Sequence, residues 1–239
     1  WIEPNPVRAP HEGKPEPEAR LSLQACVLRE LSECAIALRM TRPSPLYDAV
    51  VLGGGAAGLF YAGQAGALGL SVLVLDHSQK PAEKIRISGG GRCNFTNLGT
   101  RASNFLSANP HFAKSALARY TPTDFLALME RHGLSWHEKT LGQLFCDQKS
   151  GAIITMLLDE MRNVGAVLKL GVEISEVVKN DDLFELTTSD GPVQARRLVV
   201  ATGGLSIPKI GATGFAYDLA RQFGHELITP EPALVPLTF

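Results

Sequence analysis

Hydrophobic and polar positions follow three successive rhythms along the chain. From Leu21 to Met40 apolar residues return at helical spacing (Leu21, Ala25, Leu28, Leu31, Ala35, Leu38), which predicts one amphipathic helix closed by Pro43 and Pro45. Tyr47 to Leu52 is then a short apolar run, followed by glycines, a small-residue stretch from Ala56 to Leu68, and a second apolar run from Ser71 to Leu75. This order predicts strand, turn, helix and strand. Further on, Thr121 as N-cap, Pro122 in the first turn and Asp124 three residues after the cap start a helix through Arg131. Ser150 is expected to cap another through Arg162, with Ile153, Ile154, Leu157, Leu158 and Met161 on its buried face.

From Ala166 the rhythm shortens to that of strands: AVLKL, VEISEVVK, LFELTTS and VQARRLVVAT, punctuated by the turn signals AsnAspAsp and SerAspGlyPro. Three of these segments predict a small antiparallel meander. The last, Leu198 to Ala201, has the unbroken apolar character of a central parallel strand and runs into ThrGlyGly. A final helix is expected near Phe215 to Phe223, ahead of a Pro-punctuated stretch. No internal repeat is present.

Composition narrows the function classes. Of the 239 residues 45% are hydrophobic and 20% charged, and 23 basic against 24 acidic side chains leave a net charge of −1. This is the composition of a globular domain large enough to bury a core without staples. Near-neutrality without a dominant basic block weighs against nucleic acid or an anionic membrane surface as the main partner, and a small-molecule substrate is the expectation. The longest apolar runs, Ala49 to Leu52 and Val72 to Leu75, are far short of the roughly 18–20 residues of a spanning helix. Cys26, Cys34, Cys93 and Cys146 make no CxxC pair and no zinc-like spacing, so no metal site is expected and a reducing compartment is the simplest reading. The start lacks the basic-then-apolar order of a signal peptide, which makes the cytoplasm the default. Seven of the 15 prolines fall in residues 1–45, five of them before Arg20, so the first 20 residues read as extended. Arg20, Arg29, Arg39 and Arg42 would suit a targeting helix, but Glu30 and Glu33 would not, and residues 1–45 are read as a nonessential extension.

Candidate chemistry concentrates where the glycines do: 11 of 23 lie between Gly53 and Gly99. Gly53, Gly54, Gly55, Ala56, Ala57 and Gly58 satisfy GxGxxG after a predicted strand and before a helix, with Asp76 ending the next strand 18 residues after Gly58. Gly53 would permit the tight turn, Gly55 the approach of a pyrophosphate and Gly58 close packing of helix on strand. The helix N-terminus would supply free N–H groups, and Asp76 would accept hydrogen bonds from a ribose diol. The alternative is a glycine-rich turn in another α/β domain. A second motif, AEKIRISGGGRCNFTN at 82–97, places Gly89 to Gly91 beside Arg92 and Asn94, with Lys84 and Arg86 nearby. It offers backbone donors and fixed cations for phosphate oxygens or the polar edge of a flavin; the alternative is a flexible surface turn. Cys93 beside Arg92 is either a thiol of lowered pKa or a small packing residue.

Taken together, YDAVVLGGGAAGL, EKIRISGGGRCNFTN, LVVATGG, GGLSIPKIGATGFAYDLARQFGH and PALVPL resemble the BaiN/RdsA-like NAD(P)/FAD-dependent oxidoreductases, also described as aminoacetone-oxidase-type flavoproteins, over about Tyr47 to Phe239. The resemblance implies an α/β fold: a glutathione-reductase-type FAD-binding Rossmann-like domain with a parallel sheet, helices and an antiparallel β-meander. It implies that Gly53, Gly55, Ala56, Ala57 and Gly58 hold the FAD pyrophosphate and Asp76 the adenosine ribose. Lys84 and the Gly91, Arg92, Cys93, Asn94 loop would contact the diphosphate and flavin side. Ile174 would meet adenine through its backbone, and Ala201, Thr202, Gly203 and Gly204 would close over the cofactor. Asp76 stands where such proteins often carry Glu, and Ala216 where relatives commonly have Gly. Family members continue into a substrate-side domain, so residues 46–230 are expected to be the N-terminal part of the FAD domain, truncated C-terminally, and 231–239 the start of that second domain.

The fingerprint alone does not choose between FAD and NAD; the meander feeding AlaThrGlyGly favours FAD. No second strand-linked GxGxxG occurs in the chain, so an NAD(P)H co-substrate would dock on the flavin face. Two-cysteine disulfide chemistry is not expected, because Cys93 and Cys146 lie 53 positions apart. His137 and Glu138 are expected in an exposed hairpin, and neither they nor His111, His132 and His225 are assigned a catalytic role. The expectation is an FAD-dependent oxidoreductase moving hydride through flavin N5 to or from a small organic molecule. The alternatives are a noncatalytic FAD- or nucleotide-binding module and an NAD-linked Rossmann dehydrogenase.

Overall fold

A computed structural model describes residues 44–208 and 211–231 of the chain. The expected helix Leu21–Met40, the rest of residues 1–43 and residues 232–239 lie outside the described residues.

In chain order the elements are β1 (Leu46–Tyr47), β2 (Ala49–Leu52), α1 (Ala56–Ala67), β3 (Val72–Asp76), α2 (Glu83–Ile87), β4 (Asn94–Asn97), α3 (Lys114–Arg119), α4 (Pro122–Arg131), β5 (Trp136–Glu138), β6 (Gln143–Cys146), α5 (Lys149–Asn163), β7 (Val167–Leu170), β8 (Ile174–Asn180), β9 (Leu183–Thr188), β10 (Gly191–Ala195), β11 (Leu198–Val200) and α6 (Phe215–Gln222). Three sheets result: a parallel one in the order β11-β2-β3-β7, a second in the order β1-β10-β9-β8, and a small antiparallel one in the order β4-β6-β5.

The unbroken apolar character of β2 has a direct cause. Ala49 and Val51 face a core shared with Leu59 and Ala62 of α1 and Ile153, Leu157 and Met161 of α5. Val50 and Leu52 face the opposite core, with Val177, Leu186 and Val193 of the meander and Leu219 of α6. Both faces of the sheet are therefore covered, and no polar alternation is tolerated. Val51 and Leu52 are fully buried, each contributing about 1.5–3 kcal/mol relative to exposure.

Several expectations hold in detail. Thr121 Oγ1 accepts from Asp124 N–H at 3.3 Å, and Asp124 Oδ2 accepts from Thr121 N–H at 2.7 Å, a reciprocal capping box with Pro122 in the first turn. β8, β9 and β10 form the antiparallel meander. β5 and β6 form the hairpin that carries His137 and Glu138.

Three expectations are corrected. Ser150 does not cap α5: the helix begins at Lys149 with Gln148 as N-cap, and the buried Ser150 hydroxyl donates to the Arg86 carbonyl at 2.9 Å, tying α5 to α2. AVLKL belongs to the parallel sheet, with Leu73 to Asp76 paired to Val167 to Leu170, and VQA supplies the third meander strand instead. Among the described residues Leu198–Val200 is an edge strand rather than a central one, paired with β2 alone, and Val200 is correspondingly 46% exposed. Also among the described residues, no helix is long and apolar enough to cross a membrane.

Candidate dinucleotide site

The site forms where the C-terminal ends of β2, β3 and β11 meet the N-terminus of α1, the crevice in which parallel α/β sheets bind ligands. Gly53 leaves β2 with φ +111°, and its N–H donates to the Leu75 carbonyl at 2.8 Å. A β-carbon there would stand 2.5 Å from the Ala201 carbonyl oxygen, so the turn can pass under the end of β11 only as glycine. At Gly58 a β-carbon would fall 1.9 Å from the Gly53 carbonyl oxygen, which is how closely the first turn of α1 lies on the loop. Gly55 differs: it is the N-cap, in extended backbone, and nothing lies within 4 Å of where its β-carbon would be. The open space therefore lies directly before the unpaired N–H groups and positive dipole end of a 12-residue helix. That arrangement suits a pyrophosphate.

Asp76 braces this turn. Its Oδ2 accepts from Gly54 N–H at 2.6 Å and its Oδ1 from Ser78 N–H at 2.8 Å. Each oxygen keeps a further lone pair for a ribose hydroxyl. The Gly54 carbonyl in turn accepts from Ala82 N–H at 2.9 Å, anchoring the start of α2. From α2, Lys84 Nζ donates to the Gly204 carbonyl at 3.0 Å and to Ser206 Oγ at 3.3 Å, holding the segment after β11.

Two adjoining cavities, with about 840 and 850 Å³ of space partly open to solvent, share Gly53, Asp76, His77, Thr202 and Gly211. One runs over apolar Leu75, Val172, Ile174 and Phe215, a lining for a planar base. The other holds Gly55, Ala56, Ala57, Lys80, Lys84, Ala201 and Gly203. The structure thus brings together the glycine turn, Asp76, Lys84, Ile174, Ala201, Thr202 and Gly203, with Gly58 beneath the turn; Gly204 lines neither cavity and meets the site only as the acceptor of Lys84. Gly91, Arg92, Cys93 and Asn94 do not line these cavities. They belong to a separate loop in which Gly89, Gly90 and Gly91 all take positive φ and lead into β4. His77 and Lys80 carry no motif of their own; their one sequence signal is position just after the strand-terminal acid.

Chain separation is also a poor guide to Cys93 and Cys146, which the β4–β6 pairing sets side by side: Cys146 N–H donates to the Arg92 carbonyl at 3.1 Å. Both thiols are free and buried, and burial pushes both above the ordinary thiol range, so a lowered pKa at Cys93 does not arise. His137 Nδ1 lies 2.7 Å from Asp147 Oδ1, and that hydrogen bond is the first cause holding the Asp147 carboxyl below its usual range. His132 is bound to Glu160 at 2.8 Å. Neither histidine lines the two cavities. Among the described residues no group of three His, Cys, Asp or Glu could hold a metal ion.

Comparison with known proteins places this geometry. Residues 47–231 match a family described as HI0933-like protein Rossmann domain. The chain is 48% identical over 192 residues to a ribosomal RNA dihydrouridine synthase of Escherichia coli, covering 80% of this chain and 48% of that protein. It is 29% identical over 190 residues to a 3-dehydro-bile acid delta(4,6)-reductase of Clostridium scindens, covering 78% of this chain and 46% of that protein. The chain therefore spans about half the length of the curated relatives it matches. A halogenase, PltM, solved with phloroglucinol and FAD, covers 74% of this chain and 36% of its own at 22% identity and a TM-score of 0.43.

Proposed function

The chain belongs to the HI0933-like Rossmann-domain family, and from that premise we propose that its dinucleotide site holds FAD and serves a flavin-dependent reductase acting on uridine in ribosomal RNA. The observation that carries the FAD reading is the open edge of Gly55 at the N-terminus of α1, set in one crevice with Asp76, Lys84 and an apolar base pocket. These residues fit the group. Ala56 and Ala57 present N–H donors to the pyrophosphate, Asp76 meets the ribose, Ile174 and Val172 flank adenine, and Lys84 holds the 201–204 segment over the cofactor. The Gly91, Arg92, Cys93 and Asn94 loop serves the flavin end.

Bound FAD supplies hydride chemistry that no amino-acid side chain performs. The names of the two relatives describe saturation of a carbon–carbon double bond, and in both substrates that bond is conjugated to a carbonyl. A shared reaction follows: hydride to the β-carbon and a proton to the α-carbon. The greater identity to the ribosomal RNA enzyme favours uridine as the acceptor in this chain. NAD(P)H is the electron donor in this reading, docking on the flavin face, and the compartment is the cytoplasm. A small enone is the second reading, supported by the near-neutral total charge and the bile-acid relative.

The test begins with the visible spectrum of the purified chain, which should show flavin bands before or after reconstitution. Anaerobic NADPH or NADH should then bleach them, and uridine in added ribosomal RNA should gain two hydrogens by mass spectrometry. A protein that stays colourless with FAD overturns the cofactor assignment. Flavin that bleaches but is reoxidised only by a small enone moves the substrate to the second reading, and flavin that no donor bleaches leaves a binding module.

A further inference from the structure

The net charge of −1 conceals an uneven distribution. From Lys84 to Thr123, forty residues, the sequence holds no Asp or Glu, whereas the remaining 199 positions carry all 24, a density that would put about five here. The same stretch holds six Lys or Arg and His111. Lys84 and Arg86 are engaged locally, the first with Gly204 and the second with Glu83. Arg92, Arg101, Lys114 and Arg119 are exposed and form no ion pair within 4 Å among the described residues.

The segment Leu98–Arg119 also displays apolar side chains to solvent. Phe105 is 50% exposed, Phe112 78% and Leu106 93%. Tight turns, in which Asn104 N–H donates to Arg101 O and Phe112 N–H to Asn109 O, followed by the short α3, hold it in place, with Ala113 buried as its anchor. Acids on adjoining elements are already used: Glu138 accepts from Gly142 N–H, Asp147 binds His137, Asp124 closes the α4 capping box, and Glu160 binds His132. Exposed aromatics among unpaired cations, with acids excluded, match the phosphates and π-faces of a single strand.

We propose that Leu98–Arg119 is a docking surface for single-stranded RNA, with Arg101, Lys114 and Arg119 on phosphates and Phe105 and Phe112 stacked on unpaired bases. This rests on the uridine reading above and adds where the RNA lies. A base must be unpaired and unstacked before it can enter a catalytic pocket, so the strand on either side of it needs such a platform. The segment leaves the Gly89–Gly91 loop through the four residues of β4, roughly 13 Å of strand, so it starts close to the loop given the flavin end in that reading.

Fluorescence anisotropy of a short labelled uridine-containing single-stranded RNA against the FAD-loaded chain tests the proposal. The triple variant Arg101→Glu, Lys114→Glu, Arg119→Glu should lower the slope of log affinity against log salt by about 2, near 0.7 for each phosphate no longer neutralised. Phe112→Ala should weaken binding at least about fivefold. Unchanged flavin absorbance in each variant reports an intact fold. Wild-type RNA binding with the same slope and affinity in both variants overturns the surface and leaves the uridine reading standing. A wild-type chain that retains FAD but binds no RNA at low salt overturns the uridine reading itself. Preference for anionic vesicles over RNA, or a concentration-dependent dimer that buries Phe112, also overturns the surface.

Discussion

Gly55→Val separates cofactor binding from folding, because the proposed FAD site uses the residue while the fold leaves its open edge without a contact. Nothing lies within 4 Å of the β-carbon position, and φ −85° with ψ −169° is extended backbone that valine adopts freely. The cost to the empty protein is confined to a poorer N-cap, about 1 kcal/mol at most. In a domain of this size that moves Tm by about 2–4 °C. The valine methyls, however, fill the space through which a pyrophosphate would reach the N–H groups of Ala56 and Ala57. Losing two charge-assisted hydrogen bonds at about 1.5–3 kcal/mol each weakens FAD by roughly 10²- to 10⁴-fold. The assay pairs the flavin-to-protein absorbance ratio with thermal unfolding of the apo form. Flavin occupancy equal to wild type would refute the placement of the pyrophosphate, and a collapse of apo stability would refute the claim that Gly55 is structurally idle.

Gly58→Ala should behave in the opposite way: the 1.9 Å approach to the Gly53 carbonyl oxygen costs about 1–3 kcal/mol of overpacking, more than the roughly 1 kcal/mol of helix propensity it gains. Circular-dichroism melting of the apo form checks this, and an unchanged or higher Tm would contradict it. Lys84→Met removes the hydrogen bonds to Gly204 and Ser206, so limited proteolysis should cut the 203–206 segment faster at a local cost of about 1 kcal/mol. Equal cleavage rates would show the lysine does not hold it. In Asp124 the Thr121 hydroxyl and N–H hold the carboxyl below its ordinary range, so its stabilisation is present above the unfolded carboxylate pKa and is lost as pH falls through the lowered folded value. The Tm gap between wild type and Asp124→Asn should be full at neutral pH and close on acidification; a gap that widens in acid would reverse the sign.

The parts legible in the sequence are those in which one residue type has few substitutes. Gly53 and Gly58 are imposed by contacts that any side chain would break, and Thr121-Pro122 with Asp124 spells its own helix start. AVLKL is harder, because four or five apolar residues fit a meander strand and a parallel strand equally well; its place is decided by pairing with β3, about 95 positions earlier. Ser150 has the chemistry of a cap, but the buried Arg86 carbonyl claims its hydroxyl, a contact across 64 positions. The neighbourhood of Cys93 and Cys146 depends on β4 meeting β6, and no local pattern announces that pairing. At the site, the apolar floor contributed by Val172 and Phe215 is invisible in sequence because neither residue carries a functional signal by type.

The walls of the crevice come from Gly53, Asp76, Ile174, Thr202 and Phe215, and that spread sets an order of events during synthesis. The first βαβ unit can form as soon as it leaves the ribosome, yet β2 has no β11 beside it until Leu198 emerges, and the base pocket has no Phe215 until later still. A growing chain can therefore expose the glycine turn long before it can retain a nucleotide. On the proposed FAD reading, cofactor capture has to wait for α6, and a ribosome stalled before that helix carries a nascent chain with half of that site and an unpaired strand edge.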